Sequence, residues 1–152
     1  MKFYVVSGST LGTAEVAAET IVEEFAKLPQ GEQVEAQLLH SPSLEQIQDA
    51  SHLVIVCSTH GAGEYPDSFV PFVEALEASE QPLPNLEKLL LIGIGSSDYD
   101  TYNGAIKQLA QVFKQKNLQP LVEPLLIDVS EDFTPDLTAA SLFTANIDEF
   151  FA

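Results

Sequence analysis

The chain has 152 residues, carries 23 Asp and Glu against 6 basic side chains, and has a formal net charge of -17. Its cations are all lysines (Lys2, Lys27, Lys88, Lys107, Lys114 and Lys116), too few and too scattered to neutralise a phosphate backbone, so no nucleic acid is expected as a partner and an anionic membrane would repel the chain. A hydrophobic content of 45% excludes a disordered acidic tail, and Cys57, the single cysteine, excludes a disulfide framework or a cysteine zinc site.

The length suits one domain over residues 1–152 with a core of its own. The first apolar run is too short for a signal peptide, and no run approaches the roughly 20 residues of a membrane helix. A cytoplasmic, monomeric protein is the expectation.

In chain order, Phe3–Val6 is aromatic and β-branched and ends in Ser-Gly-Ser-Thr, which predicts a buried strand and then a loop. Ala14, Ala17, Ile21, Phe25 and Leu28 recur at helical spacing until Pro29 and Gly31 stop the pattern. Val34–Leu39 predicts a second strand, and Leu44–Gln48 a short helix behind Ser43. His52–Cys57 is continuously apolar, as a strand buried on both faces should be.

The Gly-rich segment Ser58–Pro66 is a loop, after which Asp67 or Ser68 should cap a helix with Phe69, Phe72, Val73 and Leu76 on one face. Leu89–Ile94 predicts a fourth strand, Gly95–Asn103 a loop, and Ile106, Leu109, Ala110 and Phe113 a third long helix. Leu121–Asp128 predicts a fifth strand with Pro124 inside it, and the missing amide of Pro124 places that strand at an edge or a bulge. Thr134–Phe151 reads as one closing helix with Leu137, Ala140, Ile147 and Phe150 facing inward.

This alternation predicts an α/β fold: a doubly wound, five-stranded parallel sheet of order 2-1-3-4-5. Ligands of such sheets bind beyond the carboxyl ends of the strands, where the order reverses between strands 1 and 3. Three loops meet there: Ser7–Thr13, Ser58–Pro66 and Gly95–Asn103.

The first loop joins a strand to a helix N-terminus. Its backbone amides can converge on an anion, aided by the hydroxyls of Ser9, Thr10 and Thr13, with no cation nearby. It lacks the Gly-Lys-Ser/Thr end of a Walker loop and the spacing of a dinucleotide GxGxxG, and an ordinary capped turn has a similar composition. In the second loop Gly61 and Gly63 flank Ala62, so its peptides can offer either a carbonyl or an amide to a ligand. In the third, Tyr99 and Tyr102 stand in a polar segment, where they either stack on a flat ring or cover the sheet end. Cys57 reads as a core residue, and His40 and His52 lack the spacing of metal ligands.

The runs SGSTLGTAE, STHGAGEYPD and GIGSSDYDTYNGA, each behind an apolar strand and in this order, resemble the three flavin loops of flavodoxins and of the flavodoxin-like domains of diflavin reductases. The resemblance spans essentially the whole chain. With only Leu121 to Glu131 between the third long helix region and the last helix, it is to the short-chain form. It implies FMN as cofactor, with Ser9, Thr10, Leu11, Gly12, Thr13 and Ala14 around the phosphate. Ser58, Thr59, His60, Gly61, Ala62 and Gly63, together with Gly95, Ser96, Tyr99, Tyr102 and Asn103, would hold the ring. Tyr99 matches the stacking tyrosine, and Gly61 the residue whose peptide meets flavin N5.

Two positions depart from the family pattern: Leu11 replaces a phosphate-binding threonine, and His60 a second stacking aromatic. Both imply weakened FMN affinity. The implied role is a low-potential one-electron carrier between a basic NAD(P)H-dependent flavodoxin reductase and an acceptor enzyme. Glu64, Asp67, Asp98, Asp100, Glu131 and Asp132 stand in or beside the loops, where they read either as solvated surface or as an acidic docking rim for a basic reductase. The competing readings are a binding module that has lost flavin and an NAD(P)H-dependent flavin or quinone reductase.

Overall fold

The computed structural model describes residues 1–9 and 12–152; Thr10 and Leu11 of the first loop lie outside the described residues. The elements run β1 (Phe3–Gly8), α1 (Thr13–Phe25), β2 (Ala36–His40), β3 (His52–Ser58), α2 (Val70–Ala78), β4 (Lys88–Gly95), α3 (Gly104–Gln115), β5 (Leu125–Asp128), α4 (Pro135–Ala145) and α5 (Ile147–Phe150). The strands pair in parallel in the order β2-β1-β3-β4-β5, as the sequence predicts.

The apolar runs become β1, β3 and β4 because each must bury side chains on both faces of the sheet. Tyr4, Val6, Leu53, Ile55, Leu89 and Leu91 face a core with Phe72, Leu76, Ile106 and Phe113 of α2 and α3. Their alternate neighbours Phe3, Val5, Val54, Val56, Leu90 and Ile92 face a second core with Ile21, Phe25, Phe143 and Phe150 of α1, α4 and α5. In the second core, the Phe3 ring lies 5.2 Å from Phe25, 5.9 Å from Phe143, and 5.4 Å from both Phe150 and Phe151.

Register then decides what meets beyond the strands. Gly8 pairs with Cys57, Ser58 with Ile94, and Gly95 with Asp128, so the carboxyl ends of β1, β3, β4 and β5 finish nearly level. Among the described residues, no helix is long and apolar enough to cross a membrane.

Several boundaries differ from the sequence reading. The second strand runs from Ala36 to His40 rather than from Val34 to Leu39, and α1 stops at Phe25, with a turn carrying the chain through Leu28. Only Glu45–Ile47 of the proposed Leu44–Gln48 helix forms, as one 3-10 turn. Neither Asp67 nor Ser68 caps α2: Asp67–Phe69 is a separate 3-10 turn, α2 begins at Val70 with Pro71 in its first turn, and the Ser68 hydroxyl lies 2.9 Å from Ser41 Oγ instead.

The fifth strand does occupy a sheet edge, but it spans only Leu125–Asp128 and Pro124 precedes it. Leu121 donates to Leu89 O at 2.7 Å, and the regular ladder starts only past the residue that has no amide to give. The closing helix is two helices broken at Asn146 (φ -106°, ψ 5°), whose Nδ2 donates to Leu142 O at 2.9 Å. Ala139, Ala140 and Phe143 form the inward stripe of α4, and Leu137, well round the helix from them, is 54% exposed rather than buried.

Because Phe3 has no exposed surface and touches aromatic rings of α1 and of the C-terminal segment, Phe3→Ala is expected to cost ~3–5 kcal/mol. Urea unfolding monitored by circular dichroism measures the loss. A midpoint unchanged from the parent would contradict the packing described.

Candidate functional site

Beyond the level strand ends lies a cleft of about 360 Å³, walled by all three predicted loops. In the first, Ser9 is nearly buried and its Oγ accepts the Gly12 amide at 2.9 Å. Gly12 is left-handed (φ 85°), the conformation that turns the chain into α1, although among the described residues beyond its chain neighbours nothing lies within 4 Å of where its Cβ would be. Glycine is therefore needed there for its backbone, not for space.

Val16 N donates to Gly12 O at 3.0 Å, and no side chain among the described residues caps the helix. The first-turn amides ahead of Val16 thus have no intrahelical acceptor and bear the positive end of the helix dipole. Ser9 and Thr13 line the cleft. Gly12 and Ala14 do not, and the Ala14 methyl is buried under the sheet, so that residue offers the cleft only its backbone.

The second loop is joined to the first where Ser58 Oγ donates to Gly8 O at 3.3 Å, and to the third where Thr59 N donates to Ile94 O at 3.1 Å. Thr59 Oγ1 also accepts the Ala105 amide at 3.1 Å, which ties the loop to the start of α3. Ser58, Thr59, His60 and Gly61 line the cleft, whereas Ala62 and Gly63 stand outside its wall. His60 and Glu64 exchange backbone hydrogen bonds of 2.8 Å and close the turn between them.

The third loop contributes Gly95, Ser96, Tyr99, Tyr102 and Asn103 to the wall. Tyr99 is 66% exposed, so burial does not account for it. Tyr102 lies under the Lys107 ammonium, 5.4 Å from the ring centroid. Asn103 is fully buried in a left-handed conformation (φ 52°); its Nδ2 donates to Ile127 O at 3.4 Å, while its Oδ1 has no partner among the described residues. That oxygen fits only because positions 93 and 95 are glycines, where a Cβ would stand 2.7 and 3.0 Å from it. A buried acceptor without a donor is costly unless a ligand supplies one.

Thr101, inside the predicted Gly95–Asn103 loop, also lines the cleft, as do Ile94 and Val129, which lie outside the predicted loops. Val129 follows β5, and a sheet of order 2-1-3-4-5 necessarily sets that point beside the loop leaving β4. The available signal was topology rather than composition.

The remaining reactive groups lie away from the cleft's chemistry. Burial pushes the Cys57 thiol up to about 12, as befits a core residue, and pushes the His52 imidazole down. His40 lies 2.6 Å from Ser7 Oγ through Nδ1 and 3.4 Å from Glu19 through Nε2, but Ser7 has no exposed surface for a substrate to reach. Among the described residues, no cluster of His, Cys, Asp and Glu is arranged to hold a metal ion.

Asp128 anchors the third loop. One carboxylate oxygen accepts Ser97 N at 3.0 Å, Ser130 N at 3.0 Å and Ser130 Oγ at 2.7 Å. Donors on Ser97 and Ser130 hold this carboxyl far below the usual carboxylate range. Since the folded pKa is the lower one, the tie contributes stability at every pH above the unfolded value and loses it as acid takes the pH down through the folded value. The Asp128 carboxyl carbon is therefore expected to titrate well below the ~3.9 of a free aspartate. An NMR titration in acid checks this, and an ordinary midpoint would contradict the tie.

Comparison with known proteins agrees with this geometry. Residues 5–139 match the family model described as Flavodoxin. The chain is 36% identical over 138 residues to the MioC homolog of Pasteurella multocida, covering 91% of this chain and 90% of that protein. It is 30% identical over 132 residues to the sulfite reductase [NADPH] flavoprotein alpha-component of Photobacterium profundum, covering 86% of this chain but 21% of that much longer one. Among solved structures, a cysteine-to-serine mutant of the flavodoxin from Pseudomonas aeruginosa superposes with a TM-score of 0.87 at 28% identity over the whole of both chains. With most of its length inside the family model and close full-length relatives, the chain belongs to the flavodoxin family.

Proposed function

We propose that the chain binds FMN in the cleft beyond β1, β3 and β4 and carries electrons singly between an NAD(P)H-dependent reductase and an acceptor enzyme. One observation carries this reading: a single cleft borders the N-terminus of α1, an exposed tyrosine ring and a buried amide oxygen, and among the described residues no side chain caps that helix and no donor reaches that oxygen. These are complements to an anionic tail, a flat aromatic face and a polar ring edge. The relatives support it by name, since they include flavodoxins and an NADPH-linked flavoprotein component.

Bound FMN supplies the redox chemistry. The chain's part is to hold and tune it. Ser9, Thr13 and the first-turn amides of α1 receive the phosphate by neutral donors and the helix dipole. Tyr99 offers a face for stacking, and the Asn103 oxygen an acceptor for a ring-edge donor. His60 is exposed at the opening and presents a smaller ring than an aromatic side chain would. A net charge of -17 disfavours adding negative charge inside the cleft, which lowers the potential at which a bound ring is fully reduced.

The approach to the cleft suits a basic partner. Asp98 and Asp100 flank Tyr99, and Glu131 and Asp132 lead to Phe133, which is 89% exposed. An apolar side chain set among carboxylates fits a partner surface with an apolar socket and a rim of lysine or arginine.

Titration of the protein into FMN is expected to quench flavin fluorescence to a saturating one-to-one end point. Tyr99→Ala is expected to weaken binding by about tenfold, the order of a lost stacking contact. An absence of quenching at high protein excess would refute the cofactor assignment. Reduction by a flavodoxin reductase is further expected to slow steeply as salt rises, because exposed charges are screened within about 8–10 Å. Stopped-flow rates independent of salt would refute charge-guided docking.

A further inference from the structure

The turn after β3 is gripped unevenly. It has two glycines with positive φ, Gly61 (48°) and Gly63 (91°), and either could reorient freely in an unsupported loop. Gly63 is buried and held from several sides. Its carbonyl accepts Gln108 Nε2 at 2.7 Å. A Cβ on Gly63 would stand 3.0 Å from Thr101 Cβ, and one on Gly104 would stand 3.0 Å from Gly63 Cα.

Gly61 is exposed, and the nearest atom to its Cβ position is Glu64 Oε1 at 3.9 Å. Among the described residues, its carbonyl receives only a long hydrogen bond, 3.4 Å, from Thr101 Oγ1. A 2.7 Å bond in a partly buried setting is much harder to break than a 3.4 Å bond at the surface.

We infer that Gln108 is a positioning residue: by fixing the Gly63 carbonyl from the second turn of α3, it confines rearrangement of the 60–64 turn to the Gly61 peptide, which borders the cleft. Gln108 does not line the cleft and acts through Gly63. This rests on the cleft's being the FMN site, because the ring-facing wall is what the grip prepares. Holding one of two mobile peptides before the ligand arrives removes ordering that binding would otherwise have to impose. Without the Gln108 donor, the Gly63 carbonyl would be left unsatisfied at a partly buried position.

The test uses Gln108→Met, which keeps the volume and removes the donor, and Gln108→Lys, which restores one. All three residues have similar helix propensity, so α3 should form in each. Hydrogen exchange of the Glu64 amide, which closes the turn onto His60 O, is measured in the ligand-free protein, with global stability measured by urea unfolding. In Gln108→Met, Glu64 exchange is expected to quicken by about tenfold, with a loss of global stability no greater than that factor and with the Gly31 amide, which closes a remote turn onto Leu28 O, exchanging at the parent's rate; the FMN dissociation constant is expected to rise by a similar factor. In Gln108→Lys, both are expected to return towards the parent.

Glu64 exchange in Gln108→Met equal to the parent's would overturn the inference, as would an equal quickening of the remote Gly31 amide. If the parent bound no FMN, the functional reading would fall, while exchange in the ligand-free protein would still decide the role of Gln108.

Discussion

Burial of β1, β3 and β4 on both faces is the constraint on which the site depends. Side chains such as Val5, Val6, Ile55, Val56, Leu90 and Leu91 have no exposed surface, so the middle of the sheet has nowhere to present chemistry except at its ends. Parallel register then aligns those ends, with Gly8 beside Cys57, Ser58 beside Ile94 and Gly95 beside Asp128. The small residues are a consequence. Gly8 lies against the Phe69 ring, which would stand 2.7 Å from an added Cβ, and Gly93 and Gly95 leave the space that Asn103 fills. Packing of the core and shaping of the cleft are one event at these positions.

The fold was legible where burial is written into a continuous stretch. Phe3–Val6, Leu53–Cys57 and Leu89–Ile94 are apolar on every residue and lie inside β1, β3 and β4. What could not be read was where local chemistry overrides pattern. The Leu121–Asp128 run is apolar on both sides of Pro124, yet the ladder cannot begin until that residue is passed. The last helix keeps its helical pattern through Asn146, but the side chain there bonds back to Leu142 O and the chain restarts at Ile147.

At the site, the three loops were legible because glycine, hydroxyl and tyrosine residues concentrate there without a core to serve. Asp128 and Val129 were harder to weigh. Their importance comes from the adjacency of β4 and β5 and from hydrogen bonds across that junction, such as Asp128 to Ser97, which no spacing along the chain encodes. The role of Gln108 was hidden for the same reason, since in sequence it is one more polar residue on an amphipathic helix.

Soft sulfur atoms are the first casualties when a protein meets oxygen and the oxidants made from it. Here the only thiol is buried in β3, with burial raising its pKa to about 12, and the only thioether is the exposed Met1. Oxidants in solution therefore find no exposed thiolate to convert to a sulfenic acid, and two copies have no accessible cysteine through which to become covalently linked.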